Sequence, residues 1–350
     1  SGEARRIRKA PSEHRQIAYT IRKEEKVMKS KHWGLFSVLF LAGFFFLAAP
    51  GAHAQKYPDR PIQLVVPYVA GATGDITARI LAEELEKILG GKIIPVNRPG
   101  ASAVLGTDQV VRSKKDGYTL LYAGASAMIY APVSNPEIVH YDPFKDVEPL
   151  GFHYFFPQTI TVRSDAPWKT FPELVDYAKK NPGKLRVSTI GVGSTPHFIL
   201  EMIMSITGTQ FSHVPFEGGE TVMTALLGGH VEVTCDGLAK VKPHAEAGKM
   251  KVLLITNKMP AFPEIPTITE LGYKEGLFAT WFALYSPSGI PEDVRKTLVP
   301  AIEKAVNLTK PRIDKMGSLA EYKSPAEMKK MTEEDYKKAL DIAKRIGLRK

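Results

Sequence analysis

The sequence predicts an α/β protein of two lobes, each a mostly parallel sheet flanked by helices, with a cleft and a hinge between them. Three observations predict it. From residue 60 onward, short β-branched runs alternate with helical apolar stripes, the pattern of strands joined by crossover helices. Two proline-rich stretches, 132–157 and 260–266, enclose roughly 110 residues able to form their own α/β unit. The chain has 350 residues, enough for two cores.

In chain order, residues 1–27 are polar and basic without a sustained apolar period, and are expected to be an unstructured extension upstream of Met28. Residues 28–54 read as a signal peptide. Lys29 and Lys31 precede the apolar run Leu35–Ala49, Pro50 and Gly51 break it, and Ala52-His53-Ala54 offers small residues for cleavage after Ala54. Fifteen apolar residues would make a helix of roughly 22 Å, against a hydrocarbon core of roughly 30 Å. The mature chain, 55–350, is thus expected to be exported and soluble.

Ile62–Val66 reads as a strand. A glycine-rich loop follows, and then 75–89 places Ile76, Ile80, Leu81, Leu85, Ile88 and Leu89 on one helical stripe, closed by Gly90. Residues 118–122 form a strand after the Asp116-Gly117 turn. Strand–loop–helix units are expected at 185–206, 211–227 and 230–241, a strand at 251–256, and helices near 291–307 and 325–346. Pro300 inside the first of those helices costs it roughly 3 kcal/mol or kinks it. The resulting division is 55–157 plus 279–350 for lobe 1 and 158–278 for lobe 2.

Charge narrows the function. The chain holds 47 Lys and Arg against 37 Asp and Glu, but residues 1–54 carry ten of the former and four of the latter. The remaining 296 residues hold 37 and 33, with no basic block interleaved with aromatics, which argues against a nucleic-acid partner. A single cysteine, Cys235, excludes an intrachain disulfide and a Cys-rich zinc site, and is expected buried and inert. His140, His153, His197, His213, His230 and His244 show no metal-ligand spacing, so neither a metal nor a cofactor is expected.

Two loops carry the candidate chemistry. Pro67-Tyr68-Val69-Ala70-Gly71-Ala72-Thr73-Gly74-Asp75 lies between a strand and a helix. Its small residues let amides approach a ligand, and the helix start behind them carries partial positive charge, so an anion can be held without Lys or Arg. Neither a Walker loop nor a dinucleotide fingerprint is present; a plain turn with Asp75 as N-cap is the alternative. Gly191-Val192-Gly193-Ser194-Thr195-Pro196-His197 repeats the arrangement, with Ser194 or Thr195 suited to a cap and Pro196 to the first turn. Both loops fall outside the carboxyl ends of strands, where open α/β sheets bind ligands. Ser126 and Asp236 follow other strands and can supply a hydroxyl and a carboxylate, or serve only as turn residues. Ser194, His197 and Asp75 do not match a hydrolase elbow.

The segments YPDRPIQLVVPYVAGATGD, NRPGASAVLG, DGYTLLYAG, YDPFKDVEPL, GKLRVSTIGVGSTPH, HVPFEGG, ALLGGHVEV and IPTITELG resemble the tripartite tricarboxylate transporter substrate-binding family, the Bug or TctC-like proteins. The resemblance implies a type II periplasmic-binding-protein-like fold. It also implies a monomer that captures a small mono-, di- or tricarboxylate by hinge closure and delivers it to membrane permease subunits, without being an enzyme. By that resemblance the ligand-binding residues are Tyr68, Ala70, Gly71, Ala72, Thr73, Gly74, Asp75, Ser126, Gly193, Ser194, Thr195, His197 and Asp236. Ala72 stands where the family usually has glycine, Gly74 where it has a hydroxyl, and Glu217 where it has lysine. A ligand-presenting partner of a sensor, or an exported hydrolase-type enzyme, are the alternative readings.

Overall fold

A computed structural model describes residues 57–349 apart from 217 and 218. The segments expected as an extension (1–27) and a signal peptide (28–54), and Glu217, lie outside the described residues. Tyr57–Lys350 form one compact unit with two sheets.

The first sheet contains β1 (Ile62–Val66), β2 (Ile93–Asn97), β3 (Thr119–Gly124), β4 (Val147–Phe156), β10 (Thr280–Pro287) and β11 (Leu319–Ala320), in the order β11-β4-β10-β3-β1-β2. The second contains β5 (Gln158–Arg163), β6 (Arg186–Thr189), β7 (Ser212–Pro215), β8 (Val233–Gly237) and β9 (Met250–Ile255), in the order β7-β6-β8-β5-β9. The chain passes from β4 to β5 through Pro157 alone and returns on β10.

Both sheets are mixed, which corrects the expectation of mostly parallel sheets within an α/β class that stands. β1 runs parallel to β2 and β3, and β6 parallel to β7 and β8. β10 opposes β3 and β4, and β5 opposes β8 and β9. Parallel pairs arise where a helix carries the chain back over the sheet. β4, β5 and β10 carry it between sheets with no such crossover, so they run against their neighbours.

The helices are α1 (Thr73–Leu89), α2 (Val104–Val111), α3 (Ala131–Ser134), α4 (Phe171–Lys180), α5 (Thr195–Thr207), α6 (Gly219–Leu227), α7 (Leu238–Glu246), α8 (Glu292–Lys315) and α9 (Pro325–Arg345). α1 closes on Gly90 in the left-handed region, φ 69°, as an unbranched backbone there allows. α8 runs unbroken through Pro300 and Pro311. Its stripe of Val294, Leu298, Ile302, Ala305, Val306 and Ile313 is buried with α1's Leu81 and Leu85, and that packing offsets the hydrogen bonds each proline removes.

The proline-rich segment 132–157 holds the ten-residue strand β4. Pro149 is tolerated there because it pairs with Tyr285 at a register shift between Leu284 and Tyr285, where a bulge makes its missing donor harmless. The tail also divides. α8 covers the first sheet, whereas α9 reaches α5 of the second: Arg345 donates to the Ser205 hydroxyl at 2.7 Å and to the Glu201 carbonyl at 3.4 Å. One core cluster runs from Val65 and Phe152 through Ile160 and Val233 to Met328 and Ile342, so apolar packing is continuous beneath both sheets.

Candidate functional site

After β1, the backbone turns at Gly71 with φ 80°, and α1 starts at Thr73 behind Ala72 as N-cap. Alanine offers no capping oxygen. Asp75, in the third helical position, reaches back instead: one carboxylate oxygen accepts the Gly71 N–H at 2.9 Å, and the other accepts Asn97 Nδ2 at 2.8 Å and Arg79 Nε at 3.0 Å. Asp75 is therefore not the N-cap that the turn reading made it. Burial pulls its pKa up, but the hydrogen bonds from Arg79, the Gly71 amide and Asn97 outweigh that and hold it below the usual carboxylate range.

The second loop repeats this geometry. Gly193 has φ 74°, Ser194 is the N-cap and α5 starts at Thr195. The Ser194 hydroxyl donates to the Gly191 carbonyl at 2.7 Å and accepts the His197 N–H at 3.4 Å. His197, again third in its helix, accepts the Gly193 N–H on Nδ1 at 3.0 Å. Its ring stacks on His213 with centroids 4.2 Å apart, and His213 Nε2 lies 2.6 Å from Thr189 Oγ1. Burial, then the neighbouring His213, lower the His197 pKa to about 4, so the imidazole is neutral at pH 7 and remains an acceptor.

Both glycine N–H groups are thus taken by side chains. The next amides along, those of Thr73 and Gly74 in one loop and of Thr195 in the other, lie at helix starts where no intrahelical acceptor exists. Pro196 has no N–H to give.

These helix starts face one cavity of about 560 Å³ between the two sheets. Tyr68, Ala72, Thr73, Ser126, Gly193, Ser194, Thr195 and Asp236 line it. Gly71, Asp75 and His197 do not; they stand behind the wall, bonded as described. Ala70 is not among the lining residues either, and Gly74 lies beneath two rings. A Cβ on Gly74 would come within 2.6 Å of Tyr68 Cδ2 and 2.9 Å of Phe282 Cε1, so a hydroxyl side chain there has no room, and Thr73 brings the hydroxyl to the cavity one place earlier. Tyr68 is fixed in turn: its hydroxyl accepts the Gly124 N–H at 3.0 Å and lies 3.2 Å from Ser126 Oγ.

Behind this wall, the Thr77 hydroxyl donates to the Thr73 carbonyl at 2.8 Å and meets Tyr122 and Tyr154. Tyr122 bonds His153, which burial lowers to about 3. Asp236, at the end of β8, accepts the Gly237 N–H at 2.7 Å and lies 3.7 Å from Lys240 Nζ. Cys235 beside it is buried, and burial pushes its thiol well up. Among the described residues, no group of three or more His, Cys, Asp or Glu could hold a metal ion.

Sequence reasoning missed several wall residues. Gly100, Ser102 and Ala103 come from a turn in which Ala101, Ser102 and Ala103 all have positive φ (47°, 54° and 77°). Three successive non-glycine residues there store strain of about 1–3 kcal/mol each. Gln158 and Thr280 line the cavity where the chain crosses between sheets, and Gln158 Nε2 donates to Thr280 Oγ1 at 3.2 Å. Lys240, Asn135 and Tyr130 complete the omissions that bear on chemistry.

Two lobes of mixed sheet, joined by two crossings over one cavity, define a type II solute-binding fold. A family model described as the tripartite tricarboxylate transporter family receptor, TctC, matches residues 77–348. A UPF0065 protein of Cupriavidus necator is 36% identical over 87% of this chain and 93% of its own length. A TctC solute-binding protein from Polaromonas, solved without ligand, superposes with a TM-score of 0.74 at 30% identity, covering 83% of this chain and 99% of that one. A Rhodopseudomonas palustris protein solved with bound malate gives 0.66 at 26% identity over 82% and 99%, and an R. palustris protein with adipate gives 0.68 at 27% over 83% and 98%. The chain belongs to the TctC family of periplasmic solute-binding proteins.

Proposed function

We propose that the protein captures a small carboxylate outside the cytoplasm and delivers it to the permease subunits of a tripartite tricarboxylate-type transporter, without transforming it. The observation that carries this reading is the pairing of two helix starts, one from each lobe, across one cavity. Each offers partial positive charge and unbonded amides. A carboxylate between them gains contacts from both lobes only when the cleft is closed, so binding favours closure about the crossings at Pro157 and 278–280. Relatives of this fold hold malate and adipate, which fits a carboxylate here.

The same geometry speaks against a hydrolase. The Ser194 hydroxyl donates to a carbonyl, His197 Nδ1 is occupied by the Gly193 N–H, and Asp75 is engaged by Arg79 and Asn97 in the opposite lobe. No nucleophile–base bond is made. Calorimetric titration with mono-, di- and tricarboxylates tests the reading: heat with at least one acid, recovered unchanged afterwards, is expected, and folded protein giving no heat with any overturns it.

A further inference from the structure

We infer that Tyr130 is a positioning residue for ligand capture: its hydroxyl pairs with that of Thr195 when the cleft closes and so holds the second helix start against the bound carboxylate. This rests on the carboxylate reading above. Tyr130 ends a π-helical turn, Ser126–Tyr130, a wide coil used mostly in single turns and frequently at functional sites. The same turn carries Ser126, so one element of the first lobe brings both residues to the cavity. The Tyr130 ring reaches out of that lobe. Its centroid lies 5.0 Å from Phe198 of α5 and 5.9 Å from Phe278 at the returning crossing.

The hydroxyl at the end of this ring has no partner. Tyr130 is 3% exposed, and its hydroxyl, closed off from water, makes no hydrogen bond. A buried hydroxyl left unpaired carries a cost that any arrangement giving it a partner removes. Two groups stand beside it. Burial, then the charge of Asp335 on α9, push the phenol well above its ordinary pKa, and the Thr195 hydroxyl pulls the other way.

Of those two, Thr195 is the one tied to the ligand. It is the first residue of α5 and lines the cavity, with its N–H left open at the helix start. A carboxylate that draws in this N–H also moves the hydroxyl on the same residue. Because Tyr130 and Thr195 belong to different lobes, closure changes their alignment. The bond between them is unmade in the present arrangement, so forming it favours the closed one. Asp335 is the rival partner.

Propionate, malate, adipate and citrate are titrated calorimetrically into the parent and three variants at pH 7.5, and the tightest is followed by stopped-flow fluorescence. Tyr130→Phe is expected to weaken it about fivefold, the worth of one hydrogen bond, through faster release rather than slower capture. Its melting temperature without acid should match or exceed the parent's, because no bond is lost there; a merely structural role would lower it. Thr195→Val keeps the amide and loses the hydroxyl, and its loss of affinity should not add to that of Tyr130→Phe. Asp335→Asn should leave affinity unchanged. Additive losses, unchanged affinity or a lowered melting temperature in Tyr130→Phe, or Asp335→Asn reproducing its loss, overturns the inference and leaves the carboxylate reading standing. No heat with any of the four acids from cooperatively melting parent overturns that reading and the inference with it.

Discussion

In the loop after β1, Gly71 gives its N–H to a carboxylate; in the loop after β6, Gly193 gives its N–H to an imidazole. The spacing is the same, glycine to the residue four places on, and so is the helix start, with threonine first and the acceptor third. The chemistry differs in what happens on protonation. Asp75 is an anion wired to Arg79 and Asn97 and keeps its acceptors until strong acid. His197 is an acceptor only while neutral, and its stacked neighbour His213 is a second imidazole. One backbone shape is thus held by two devices of unequal acid tolerance, and the lobes differ in where they are fragile.

The largest expected break lies in the first loop, at the second helical position. Gly74 packs under Tyr68 and Phe282, whereas its counterpart Pro196 already carries a ring. Gly74→Ser forces two packed aromatics aside, at about 1–3 kcal/mol, and both of those rings, Tyr68 and Phe282, line the cavity. Urea denaturation should show that loss, with ligand affinity falling more than tenfold; a midpoint and affinity like the parent's would show that the rings yield freely.

Next comes Asp75→Ala, which leaves the Gly71 amide without its acceptor and Asn97 Nδ2 with the Tyr68 carbonyl alone, and should cost about 2 kcal/mol. Asp75→Asn keeps one carbonyl for the Gly71 amide and should cost about half as much. Equal losses in the two variants would mean that the charge, not the acceptor, holds the loop.

Acid separates the loops most sharply. His197 titrates at about 4 in the folded chain against about 6.5 unfolded, so the unfolded state binds more protons between those values. Stability is complete above pH 6.5 and falls as pH drops toward 4, by about 3 kcal/mol. Asp75, lowered from an ordinary value near 4, loses its contribution only below that pH. Urea midpoints from pH 7.5 to 4.5 should therefore fall in the parent and stay flatter in His197→Gln. An identical slope in both would assign the acid sensitivity elsewhere.

The two loops also mark what the sequence disclosed. Their position between strand and helix, and their small and hydroxyl residues, were legible because turn and cap chemistry is local. The direction in which Asp75 and His197 point was not. A glycine followed four places later by an acceptor reads equally as a cap, a ligand contact or a wall support, and only the φ and ψ of Ala72 and Ser194 decide which residue is the N-cap. Ala101–Ala103 was illegible for the opposite reason: local propensity argues against three positive φ values, and tertiary packing overrules it. The prolines of 132–157 likewise argued against a strand that a register shift at Pro149 makes possible. Lys240 was missed because α7 follows β8 without a loop, so no turn signal pointed to it.

The smallest expected effect exchanges a single oxygen between the loops. Ala72 and Ser194 hold nearly the same backbone angles, φ −68° and ψ 159° against φ −76° and ψ 161°, yet only the second has a hydroxyl to accept an amide. Ser194→Ala should lose about 1 kcal/mol, since the His197 N–H then lacks its cap. Ala72→Ser should gain somewhat less, because Asp75 already occupies part of that space and the new hydroxyl can reach only the Asp75 N–H. Thermal melts of the two variants and of the double exchange read this directly. Additive shifts of opposite sign are expected, because the loops share no contact and sit on separate sheets. A gain in Ala72→Ser as large as the loss in Ser194→Ala would mean that the first loop's carboxylate frame leaves the helix start as open as if it had no support at all.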